Sequence, residues 1–271
     1  MEGGTGMLRD ITLGQYFPGD TVAHRLDPRT KLALVVLYIV GLFMAKNWIS
    51  YGLVFLVTIA CMAVSHIKPK TLMKGLKPLI SIIVLTAVLN LFYTPGTQII
   101  EGVPMTWEGL KKAFLLVMRI LMLISGTFLL TYTTSPIALT DGLEKAMNPL
   151  KKLRFPVHEM SMMMSMALRF IPTLTEETDK IMSAQKARGA DFETGNLLQR
   201  AKALIPILVP LFVSAFRRAD ELAIAMESRC YHGGEGRTRM KQLKYAARDA
   251  VAYLLGILFV AAMVVLRHYG L

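Results

Sequence analysis

Two arginines set between small residues, in Ala187-Arg188-Gly189 and in Ser228-Arg229-Cys230, are the side chains of this sequence best suited to recognition chemistry. A guanidinium is planar and permanently charged and pairs with a carboxylate through two parallel hydrogen bonds. Small flanking residues let it enter a partner's groove closely. A single arginine of this kind needs no more explanation than complementing the negative end of a helix dipole. Two in the same setting, within one basic stretch, point to two soluble partners of similar kind.

No catalytic constellation competes with this reading. The glycine-rich segment Gly233-Gly234-Glu235-Gly236-Arg237-Thr238 lacks the spacing and the lysine of a nucleotide-binding P-loop. His24, His66, His158, His232 and His268 are too scattered for a metal cluster, so neither metal nor cofactor is expected. Glu176, Glu177 and Asp179 read as first-turn acids of a helix, where the dipole favours negative charge, rather than as an acid-base pair. Cys61 and Cys230 have no paired spacing and read as packing residues.

The elements that must position the arginines follow from composition. The 271 residues are 54% hydrophobic with mean hydropathy +0.46, above the roughly 45–50% apolar content of ordinary soluble domains, so much of the chain must face lipid. The net charge of +12 fits a membrane protein whose basic residues set topology and meet anionic lipid. Nucleic acid is excluded as a partner, because no basic stretch carries interleaved aromatics or a reading motif.

Five apolar runs read as membrane spans: Leu32 to Ala45, Ile49 to Val64, Leu79 to Tyr93, Ala113 to Tyr132 and Ala250 to Leu266. The first two are shorter than the roughly 20 residues that cross a bilayer and must borrow flanking residues to form a tight hairpin, with Trp48 and Tyr51 at the headgroup level. Residues 1 to 31 are polar and lack the apolar core of a secretory signal. Basic residues between runs two and three, and throughout the stretch from Thr133 to Arg248, place both segments and the N-terminus in the cytoplasm. Lys111 and Lys112, beside the outer segment, run against that rule. Arg119, inside the fourth run, is either a functional cation or a side chain that snorkels to the interface.

The long basic stretch reads as helices. Thr134 or Ser135 before Pro136 starts an interfacial helix. Val157 to Phe170 carries Met160, Met162, Met163, Met164 and Met166, a set suited either to repacking against different partners or to ordinary core filling. An amphipathic helix then runs from Thr173 to Arg188, ended by Gly189. Another runs from Pro210 to Arg229, ended by Gly233, Gly234 and Gly236, with a bend at Pro206 and Pro210.

Over nearly its whole length the chain resembles the transmembrane T component, EcfT, of energy-coupling-factor transporters. The residues that carry the resemblance are His24-Arg25-Leu26-Asp27-Pro28-Arg29-Thr30-Lys31, the stretch Arg169-Phe170-Ile171-Pro172-Thr173-Leu174 followed by Glu176, and the two X-Arg-X motifs. Ser228-Arg229-Cys230 departs from the commoner Ala-Arg-Gly form. The resemblance implies a non-catalytic scaffold of an ABC-type importer, multi-pass in the bacterial plasma membrane. It would join two ABC-type ATPase subunits to a small membrane S component that binds a vitamin or other micronutrient. Arg188 and Arg229, with Ala187, Gly189, Ser228 and Cys230 beside them, would dock into grooves on the ATPases, which would carry out all ATP hydrolysis. The five methionines are the candidate S-component surface.

The expected fold is all-α: spans one to four within residues 1–132, a cytoplasmic coupling region over 133–248, and a last span in 249–271. A stand-alone secondary transporter is the alternative, disfavoured because the spans show no repeated halves and Arg119 is their only clear ionic candidate. A lipid-modifying membrane enzyme would need a nucleophile or metal set that the sequence lacks.

Overall fold

The computed structural model describes residues 16–97, 106–153, 155–192, 194, 196–233 and 243–269. They form α1 (Pro28–Met44), α2 (Trp48–Ser65), α3 (Pro69–Leu76), α4 (Ile80–Tyr93), α5 (Trp107–Thr133), α6 (Pro136–Ala146), α7 (Val157–Ala187), α8 (Leu197–Ala203), α9 (Ile205–Glu227) and α10 (Ala247–His268). Helices α1 to α6 with α10 make up one compact unit, and α7 to α9 make up another.

The first unit is organised around the start of α1. Asp27 is its N-cap, accepting from the Arg29 N–H at 2.9 Å, and Pro28 occupies the first turn, where the missing N–H costs nothing. Arg29 returns two side-chain hydrogen bonds to the Asp27 carboxylate, each 3.0 Å, donates to the Leu243 carbonyl at 3.2 Å and lies 4.1 Å over the Tyr245 ring. Burial opposes the charge on Asp27, but the hydrogen bonds from the Arg29 side chain and backbone outweigh it and hold the carboxyl below its usual range.

Asp249, buried in the first turn of α10, accepts from the Asp27 N–H and from the Ala246 N–H, both at 2.8 Å. One carboxylate thus satisfies backbone donors at the starts of two helices. Lys31 sends its ammonium to the Thr133 carbonyl at the end of α5, 2.8 Å away, where the helix dipole favours a cation. The segment His24 to Lys31 is therefore the joint of α1, α5 and α10.

Beyond this joint, α1 packs on α10, α5 and α2, and α5 also packs on α2 and α4. Leu42, Ala45, Tyr51, Val54, Met122 and Met263 form the core between them. Close approach depends on small residues: a Cβ at Gly126 would overlap the Tyr38 ring. That ring cannot move aside, because its hydroxyl is held between Thr58 Oγ1 at 2.7 Å and the Met122 carbonyl at 3.0 Å. Arg119 reaches across from α5 to donate to the Ala45 carbonyl at 3.0 Å, with Phe43 and Tyr51 rings 5.8 and 5.7 Å from its guanidinium. Of the two roles open to it, the geometry supports neither a transport site nor simple snorkelling: it caps the end of α1.

Among the described residues five helices are long and apolar enough to cross a membrane: Trp48–Ser65, Pro69–Tyr93, Trp107–Thr133, Leu198–Glu227 and Ala247–His268. Four of them contain expected runs. The fifth differs, because α1 has 17 residues, about 25 Å at 1.5 Å per residue, short of the ~30 Å hydrocarbon core. Leu198–Glu227, expected in the cytoplasmic region, has 30 residues and mean hydropathy 1.4 over its most apolar stretch.

Several local readings need correction. Pro172 lies inside α7, which is one helix of 31 residues rather than two segments, and α9 starts at Ile205 with Pro210 inside it. Each internal proline removes one backbone bond without ending its helix. Pro206 sits in the first turn of α9, where it fits. Cys61 and Cys230 are both exposed rather than packed inside. Helix α6 begins as expected, with Ser135 Oγ accepting from Ala138 N–H at 3.3 Å, and its Gly142 lies against Pro28.

Replacing Gly126 by alanine should destabilise the first unit. Overpacking against a pinned ring costs about 1–3 kcal/mol, against at most about 1 kcal/mol gained from alanine's better helix propensity. The expected outcome is a lowered thermal midpoint in detergent, and a much smaller further drop when Gly126→Ala is made in a Tyr38→Ala background, where the ring is gone; a raised midpoint for Gly126→Ala alone would contradict this packing.

Candidate functional site: two arginine-bearing helix ends

Helix α7 presents acidic Glu159 in its first turn and Lys186 in its last, matching its dipole. Because it starts at Val157, Glu176, Glu177 and Asp179 lie well inside it, and the expected first-turn role for them does not hold. Glu177 instead accepts from the Arg218 guanidinium of α9 at 2.8 Å. A hydrogen bond from Ser214 and the nearby Arg218 hold its carboxyl below the usual range. Near the far end of α7, Gln185 Nε2 lies 3.5 Å from the Pro206 carbonyl at the start of α9.

These contacts make α7 and α9 antiparallel, and the apolar residues follow suit. Met163, Met166, Phe170 and Leu174 of α7 face Ala215, Ala219, Leu222 and Met226 of α9 across a groove of about 560 Å³. Those positions recur at helical spacing on both elements, and the alanines let the helices approach. The five methionines do not share one face: Met163 and Met166 line the groove, Met163 and Met164 are exposed, and Met160 and Met162 are half-buried.

The two X-Arg-X motifs end their helices in one and the same way. After Arg188, the Gly189 N–H donates to the Lys186 carbonyl and the Ala190 N–H to the Gln185 carbonyl, each at 3.0 Å. After Arg229, the Cys230 N–H donates to the Glu227 carbonyl at 2.9 Å and the Tyr231 N–H to the Met226 carbonyl at 3.1 Å. Both pairs are Schellman closures in identical register, and the residue after each arginine is left-handed, with φ of 89° at Gly189 and 55° at Cys230.

Ala187, Arg188, Gly189, Ser228, Arg229 and Cys230 are all exposed. Neither guanidinium has an ion-pair or hydrogen-bond partner among the described residues. The closure directs each arginine off the end of its helix beside a small neighbour. Since α7 and α9 are antiparallel, the two arginines stand at opposite ends of the pair. The roughly 25 residues from the Met163 level to Arg188 set them on the order of 35 Å apart.

The termination of α9 corrects the sequence reading. Cys230 makes the left-handed turn; Gly233, with φ 102°, lies beyond the helix, and Gly234 and Gly236 fall outside the described residues. Sequence reasoning misses Arg218 and Ser214 and their pairing with Glu177, since no local pattern links residues 41 positions apart. Among the described residues no three His, Cys, Asp or Glu side chains converge on a point where a metal could sit.

Long apolar helices, with two exposed arginine-bearing ends on an antiparallel pair, define a multi-pass all-α membrane protein. A family model described as "Cobalt transport protein" matches residues 19–240. The chain is 56% identical over 249 residues to the energy-coupling factor transporter transmembrane protein EcfT of Thermosediminibacter oceani, covering 91% of this chain and 94% of that protein. It is 51% identical to the Clostridium kluyveri EcfT, covering 96% and 98%, and 48% identical to that of Bacillus subtilis, covering 96% and 100%. The chain belongs to the EcfT family, the transmembrane proteins of energy-coupling factor transporters. It is a non-catalytic transport subunit of the bacterial cell membrane.

The matched closures differ in one atom set, the side chain at the left-handed position, and that difference is testable. Cys230→Gly should relieve the strain of a Cβ at φ 55°, and Gly189→Ala should introduce it, each worth about 1 kcal/mol. Hydrogen exchange at the Tyr231 amide should slow in the first variant, and exchange at the Ala190 amide should quicken in the second. Unchanged exchange in both would show that the left-handed residues do not close these ends.

Proposed function

We infer that the chain is the coupling scaffold of an ATP-driven importer, with Arg188 and Arg229 each docked in a groove on one of two ABC-type ATPase subunits. Around them, Ala187, Gly189, Ser228 and Cys230 supply the small shoulders that let a guanidinium reach buried carboxylates. Of the methionine stretch of α7, Met160, Met162, Met163, Met164 and Met166, the exposed Met163 and Met164 engage a small membrane S component that binds a vitamin or other micronutrient. In this reading Leu198–Glu227, though long and apolar enough to cross, lies along the cytoplasmic side rather than across the membrane, so that the N-terminus and both arginine ends face the cytoplasm, where the ATPases reside.

The observation that carries this reading is the repeat of one closure, in identical register, at two opposite and exposed helix ends whose arginines have no partner among the described residues. A dipole-complementing cation would not require a left-handed residue next to it, least of all a cysteine. ATP binding and hydrolysis in the partners would move the two ends, and helices 31 and 23 residues long, about 46 and 35 Å at helical rise, would carry that displacement as levers. The Glu177–Arg218 pair is partly exposed and contributes little by itself. It marks the crossing at which the apolar groove residues hold the levers together.

Arg188→Ala or Arg229→Ala should weaken ATPase association by on the order of 2–5 kcal/mol, because a buried partner carboxylate loses its counter-ion. Lysine should rescue neither, lacking the planar fork. Copurification with both ATPases and ATP-driven uptake into vesicles measure this; normal assembly and uptake by the double alanine variant would rule out arginine docking.

Exchanging Met162, Met163 and Met164 for leucine keeps apolarity and approximate volume while stiffening the surface. Uptake through different S components, supplied one at a time, should then change unequally while the ATPases still copurify. Equal uptake for every substrate would leave these methionines as packing residues only.

A further inference from the structure

The two tryptophans of the sequence, Trp48 and Trp107, converge on one groove. It has a volume of about 600 Å³ and is lined by Trp48, Trp107, Glu108, Leu110, Lys111 and Phe114. Trp48 opens α2 and Trp107 opens α5, so the groove lies at the end where these two helices begin. The Trp48 and Phe114 rings stack with centroids 5.2 Å apart. Even so, Trp48 stays 53% exposed and Trp107 60%, which is expensive in water and natural where a bilayer supplies the missing contacts.

Charge decides what fills it. Glu108 turns its carboxylate to Thr97, accepting from the backbone N–H at 2.8 Å and from the hydroxyl at 3.1 Å. Lys111, one turn further along α5, is exposed and has no ion-pair or hydrogen-bond partner among the described residues. It is also one of the two lysines that offend the charge asymmetry of the spans. Lys46, Lys111 and Lys112 put cations at this end of the helices, and of the three Lys111 lines the groove beside both tryptophans, where a lipid phosphate can meet it.

We propose that this groove is a binding site for an anionic phospholipid, with the headgroup phosphate on Lys111, the glycerol level between Trp48 and Trp107, and an acyl chain along Leu110 and Phe114. Lysine serves a phosphate as a point charge, and Trp48 and Trp107 sit at the interfacial level that tryptophan favours. Leu110 and Phe114 continue the lining towards the middle of α5, the direction an acyl chain must take. A zwitterionic lipid would offer the same acyl chain with its phosphate already neutralised, and so would gain less from Lys111.

The two tryptophans make the test direct, because both line the site. The purified full chain is reconstituted in vesicles that contain a small fraction of either dibrominated phosphatidylglycerol or dibrominated phosphatidylcholine, whose bromines quench nearby tryptophan. The expected result is preferential quenching by the anionic lipid, with relative binding about fivefold higher, the factor one lysine supplies near an anionic headgroup. Lys111→Gln should abolish the preference and Lys112→Gln, on the neighbouring side chain outside the groove, should keep it. Equal quenching by both lipids would overturn the proposal. So would equal loss in both variants, which would mean diffuse surface charge, or no quenching by either lipid, which would mean a groove covered by protein.

Discussion

The carboxylate of Asp249 accepts a backbone N–H at the start of α1 and another at the start of α10, and the seven-helix unit is arranged about that pair of bonds. In a membrane no water satisfies a helix end buried among other helices, so each donor must find a protein partner. Asp27, Arg29 and Lys31 extend the same solution to the loop before α10 and to the last carbonyls of α5. An aspartate at the centre of this joint is costly to bury alone. It is tolerable because every charge around it is paired or bonded. Residues that would suggest an active site by type, two acids with an arginine and a lysine, are thereby fully occupied in holding three helices together.

The α7–α9 unit follows the opposite plan. One apolar stripe of each helix lines a groove between them while Phe212, Val213 and Phe216 of α9 stay exposed, the Glu177–Arg218 pair is partly exposed, and Arg188 and Arg229 stand exposed at the tips. A helix end closed by a Schellman turn is locally rigid and needs nothing from the rest of the fold. That suits a part whose work is done by contact with another molecule. The methionines do not act as one set: Met166 and Met163 line the groove between the helices, Met163 while still largely exposed, and Met164 is exposed outside it.

Much of this was legible locally. Asp27-Pro28 announces a helix start through an N-cap oxygen and a first-turn proline, and the structure uses both. The arginine motifs lie at helix ends, where Gly189 could be read as a terminator from its residue type alone. Local rules failed where a proline or a glycine suggested more than it delivered. Pro172 and Pro210 each remove one backbone bond, and neighbouring turns carry the helix through. Gly233 lies beyond the helix while Cys230, a residue with a Cβ, takes the left-handed turn that ends α9. Moving the start of α7 back to Val157 also took Glu176, Glu177 and Asp179 out of the first turn and gave Glu177 a partner on another helix.

What the sequence by itself determined is whatever depends on residues within a few positions of one another: apolar runs long enough for lipid, the all-α class, and arginines between small residues at the ends of amphipathic stretches. Hydrophobic period and capping act through the adjacent turns, so they can be read from adjacent residues. Only the tertiary structure decided that Asp249 serves Asp27 across 222 positions, that Arg218 meets Glu177 across 41, and that Arg119 caps α1 from α5. It also decided that α7 and α9 run antiparallel, which sets their two identical closures at opposite ends. Those relations are made by side chains brought together only after the helices pack, and no spacing along the chain encodes them.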